Sequence, residues 1–131
     1  MVFHIASIVL RLCGALAVIL GILFWSGNAF NLIPIHMGRG LLVVLSLWIV
    51  GIGQAFSRGG SWPLALGALL LGLLVLVVGM RQSSLLVGPF HWAIQVAHLL
   101  LGILAVGIGQ RATARWRNSS VIREQQPSRA A

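Results

Sequence analysis

Four runs of apolar residues, roughly 5–25, 36–56, 63–80 and 91–110, take up most of this 131-residue chain. Each approaches the ~20 residues that an α-helix needs to cross a ~30 Å hydrocarbon layer. A backbone in lipid has to satisfy its own hydrogen bonds, and a run of this length does so as a helix. Composition agrees, with 8% of residues charged against about 25% in a typical soluble domain. The connections between runs are short, so consecutive helices should be antiparallel. The expected fold is all-α: an integral membrane four-helix up-down bundle over residues 1–117. Residues 118–131 are expected to form a disordered cytoplasmic tail, by their polar composition.

The runs also repeat in pairs, about 5–56 and 63–110. Pro34-Ile35-His36 opens a run that ends in Gly51-Ile52-Gly53-Gln54, and Pro89-Phe90-His91 opens one that ends in Gly107-Ile108-Gly109-Gln110. Gly14-Ala15-Leu16 is echoed by Gly67-Ala68-Leu69. Such a repeat is one supersecondary unit used twice, so the second and fourth helices should run parallel. Glycines seven apart, Gly14 with Gly21 and Gly72 with Gly79, put small residues on one helix face and permit close packing.

The net charge of +8 comes from arginines, five of which (Arg111, Arg115, Arg117, Arg123, Arg129) follow the last apolar run. A basic cluster beside a span marks the cytoplasmic side and touches anionic headgroups. No nucleic-acid partner is expected; the lipid bilayer is. Both termini should be cytoplasmic, in a bacterial cytoplasmic membrane. The N-terminus lacks a basic n-region and a cleavage site, so the first run is expected to stay as a helix. Arg11, inside that run, should snorkel to the inner headgroups rather than face the bundle interior and pair with an anionic group. The one cysteine, Cys13, has no partner for a disulfide and should serve packing.

Catalytic sets are missing from the pattern. The sole acidic residue, Glu124, lies in the tail, so no intramembrane carboxylate exists for acid–base work or proton relay. The chain is therefore expected to be a carrier or accessory protein rather than a catalyst.

The histidines remain. His36 and His91 each open a helix, 18 and 19 residues before the repeated glutamine. Their depths should then agree to about 1.5 Å. Imidazole is a common axial ligand of haem iron, and a helix bundle can hold the macrocycle between facing helices. His98 lies seven residues after His91 on the same face, about 10 Å deeper. Gly102 follows it by four, as Gly40 follows His36, and a glycine one turn from a ligand leaves room for a flat macrocycle. Matched depth favours His36 with His91 as the metal-ligand pair. His98, near mid-span, then needs a partner of its own, such as the haem surroundings or the Ser46 hydroxyl.

The segment from His91-Trp92-Ala93-Ile94-Gln95-Val96 through Ala97-His98-Leu99-Leu100-Leu101-Gly102 resembles helices of small membrane cytochromes b. It also resembles the four-helix halves of haem A synthase, in which paired helices supply histidines to b-type haem. The resemblance implies a haem b cofactor with His36 and His91 as axial ligands and Arg39 and Arg81 near its propionates. It implies electron transfer within a membrane complex containing other membrane-protein subunits. The alternative is a non-catalytic accessory subunit that packs through its glycine- and leucine-rich faces. A transporter is less well matched, because the spans carry few polar residues beyond Ser46, Gln95 and the histidines.

Overall fold

The computed structural model describes the backbone of residues 1–125 and the side chains of residues 1–119. Four helices follow one another: α1 (Val2–Trp25), α2 (Ile33–Ala55), α3 (Trp62–Arg81) and α4 (His91–Gln125). Short 3-10 turns at Phe30–Leu32 and Gln82–Ser84 lie in the two longer connections. All four helices are long and apolar enough to cross a membrane. The chain folds up and down, so Met1, the α2–α3 turn and the far part of α4 share one end of the bundle. The other two connections share the opposite end.

α2 and α4 pack directly against each other, and α1 and α3 each pack against both of them. The interior of this arrangement is built from small and medium side chains. Leu10, Val43, Val44, Leu47, Ala68, Leu71, Val75 and Ala105 form the main buried cluster, with Ala6, Val50 and Ala112 as a second. Larger apolar residues such as Leu12, Ile19, Leu41, Leu70 and Leu100 point outward. Lipid tails are as apolar as a leucine core, so close backbone packing rather than hydrophobic exclusion selects what goes inside.

The α2–α3 turn is tied by Gln54, whose side chain is fully buried. Its Nε2 donates to the carbonyls of Ser61 (2.7 Å) and Gly51 (3.2 Å), and its Oε1 accepts from the Ser61 N–H (3.0 Å). Ser61 caps α3 by accepting from the Leu64 N–H, and Pro63 occupies the first turn, where its missing donor costs nothing. Gly59 takes φ +73°, and Gly60 lies so close to the carbonyls of Gln54 and Ala55 that no Cβ would fit.

Two features depart from the sequence expectation. α4 does not stop near Gln110 but continues through Gln125, so the expected disordered tail from residue 118 is helical that far. Residues 126–131 of that expectation lie outside the described ones. The second departure is in register. Phe3 of α1 packs against Gly53 of α2, and its ring centre lies 5.0 Å from that of Trp116 in α4. Gly53 is thus level with Trp116, whereas the repeat would pair it with Gly109, which instead packs on Leu10. Trp116 lies seven residues beyond Gly109, so α4 is slid along its axis by about two turns, ~10 Å, relative to the repeat.

Candidate functional site

The slide decides which histidines meet. His36 of α2 faces His98 of α4, with ring centres 6.3 Å apart and planes at 64°. The expected level pairing of His36 with His91 does not occur. His91, at the first residue of α4, sits beyond the pair with its Nδ1 3.2 Å from the Leu85 carbonyl oxygen. A carbonyl only accepts, so that nitrogen carries the hydrogen. The repeated Gly-Ile-Gly-Gln implies equal depth only where its two copies are level, and here they are not.

Each flank of the pair is shaped by a glycine from a neighbouring helix. A Cβ added at Gly79 of α3 would lie 2.8 Å from His98 Cε1, and one at Gly21 of α1 would lie 3.9 Å from His36 Cε1. Phe24 of α1 meets His36 edge-on at 5.3 Å and stacks against Phe30 at 6.3 Å, closing the site toward the loop. Gly40 and Gly102, one turn beyond His36 and His98, have open space where their Cβ atoms would be. Both histidines are half-buried.

His36 meets the Ala17 backbone, yet three polar atoms here lack partners. Nδ1 of His36, Nδ1 of His98 and Nε of Arg39 are enclosed and make no hydrogen bond. Ser46 is buried but forms no hydrogen bond with His98, so it is not the partner expected for that residue. Enclosed polar atoms of this kind are uncommon in folded proteins and ask for an explanation. Arg39 lies three residues after His36 on α2, half-buried. Arg81 ends α3 and is exposed. His4 is exposed near the start of α1.

Among the described residues, no group of three or more His, Cys, Asp or Glu side chains is placed to hold a metal ion. Two open grooves lie away from the histidines. One, of about 530 Å³, runs between α1 and α4; the other, of about 320 Å³, runs between α1 and α2. Sequence reasoning passed over Gly21, Gly79 and Phe24 as site residues. It held the signal for His98, the His-x-x-x-Gly spacing shared with His36, and let the repeat outweigh it. Searches of protein-family models, of curated proteins and of solved structures give no match for this chain.

Proposed function

We propose that this protein is a small membrane cytochrome b that holds one haem between α2 and α4 through His36 and His98. The observation that carries the reading is the facing pair of imidazoles, each with an enclosed, unpartnered nitrogen and a glycine one turn away beside open space. With only two protein ligands at hand, the remaining coordination positions suit a macrocycle that brings its own four nitrogens. A bound haem supplies a one-electron couple. His36 and His98 would hold it, Phe24 would shield it from the loop end, and the Arg39 guanidinium would meet its carboxylates. Electron transfer to or from other membrane subunits, in a bacterial cytoplasmic membrane with both termini inside, completes the reading.

The test is an absorbance spectrum of the purified protein with and without dithionite, set beside His36→Ala, His98→Ala and His91→Ala. A reduced b-type alpha band is expected in the parent and in His91→Ala, and is lost in the other two. A folded parent protein without that band overturns the reading and leaves the accessory subunit. A band that survives His98→Ala but not His91→Ala overturns the ligand pair.

A further inference from the structure

The groove between α1 and α4 lies on the outer surface of the bundle, at a distance from the histidines. Gly14, Ala15, Val18, Ile103 and Val106 line its apolar length, and Arg11 and Gln110 stand at one end. It is an open trough of about 530 Å³. Its polar end is the one nearer the chain termini. Helical side chains tilt toward the helix N-terminus, so Arg11 is directed from its place in α1 toward the surface where α1 begins. That place is about 13 Å along the helix from Val2, within reach of the headgroup layer for a side chain that snorkels.

Arg11 is exposed, and no carboxylate among the described side chains is there to meet it. The chain has one acidic residue in all, Glu124, far along α4. A cation beside an apolar trough calls for an anion joined to an apolar tail. We propose that this groove seats an anionic phospholipid of the leaflet facing the chain termini. One acyl chain lies between α1 and α4, and the phosphate is held by Arg11 with the Gln110 amide donating beside it. A second copy of the chain is a poorer occupant, because a twofold contact through this face would bring Arg11 against Arg11 with no acid to separate them.

Native mass spectrometry of the detergent-purified protein, titrated with phosphatidylglycerol or with phosphatidylcholine of the same acyl chains, tests this. One phosphatidylglycerol per chain is expected to bind about fivefold more tightly than phosphatidylcholine, the preference that one basic residue near a membrane surface supplies. Arg11→Gln should erase that preference, Arg11→Lys should keep most of it, and Arg115→Gln should leave it unchanged. Gly107→Leu should weaken both lipids by filling the trough. Gly107 is exposed in the groove lining and its Cβ would meet nothing within 4 Å, so the variant is expected to keep the parent's fold, as thermal unfolding in detergent checks. Equal binding of the two lipids, or equal losses in the Arg11→Gln and Arg115→Gln variants, would overturn the proposal. A dimer that Gly107→Leu dissociates would assign the groove to a second copy instead.

Discussion

Gly21 and Gly79 look alike in the sequence, each a glycine in a leucine-rich helix, and differ in what they face. At Gly79 an added Cβ would stand 2.8 Å from the His98 ring, so the ring or α3 has to move; at Gly21 the distance to His36 is an ordinary 3.9 Å. Gly79→Ala is therefore expected to destabilise the bundle by about 1–3 kcal/mol through overpacking. Gly21→Ala should be neutral or stabilising by up to ~1 kcal/mol, since alanine is the better helix former. Thermal unfolding in detergent measures both, and equal effects would show that the His98 side of the site can give way freely. Under the proposed reading, Gly79→Ala also lowers the haem content per protein and Gly21→Ala does not. The histidines and their spaced glycines were legible in the sequence because residue type and spacing carry them. The glycines that face them were not, because one chain's order says nothing about which residue of a neighbouring helix lies opposite.

Between elements, the two copies of Gly-Ile-Gly-Gln show how one motif comes to serve two ends. Gln54 stands where α2 stops, and its amide replaces the backbone partners that the turn has lost. Gln110 stands where α4 continues, and its side chain is exposed. Gln54→Leu is expected to cost about 2–3 kcal/mol, because it strands the Ser61 N–H and carbonyl in a closed turn. Gln110→Leu should change stability by less than about 0.5 kcal/mol. Unfolding of the two variants side by side checks the contrast. The helix limits show the same division. Apolar run length located the helix ends to within a few residues except the last, where α4 runs on to Gln125. Hydropathy falls at Gln110, but arginine and alanine remain good helix formers, and a helix leaving the membrane can keep its backbone bonds in water.

Taken whole, the molecule has both the start of α1 and the far part of α4 at one end, as short connections between four spans require. Arg111, Arg115 and Arg117 lie at that end, so a C-terminal reporter that works only inside the cell should be active and one that works only outside should be silent. The opposite result would invert the bundle in its membrane. The up-down order was legible from the four runs alone. The relative height of the helices was not, because in lipid both the buried and the outward faces are apolar, and no polar stripe marks the level at which one helix must meet the next.

The two-turn slide of α4 carries a consequence of its own. Seven residues make almost two full turns, so His91 and His98 leave α4 on nearly the same bearing. A slide of two turns would therefore bring the His91 imidazole round to His36 in place of that of His98. Besides the room that Gly79 leaves for His98, the register is gripped farther along the helix. Leu10 packs on Gly109 about 17 Å along α4 from His98, and Phe3 packs on Trp116 about 27 Å along it. An aromatic contact near the start of α1 thus shares one register with an imidazole pair at the opposite end of the bundle.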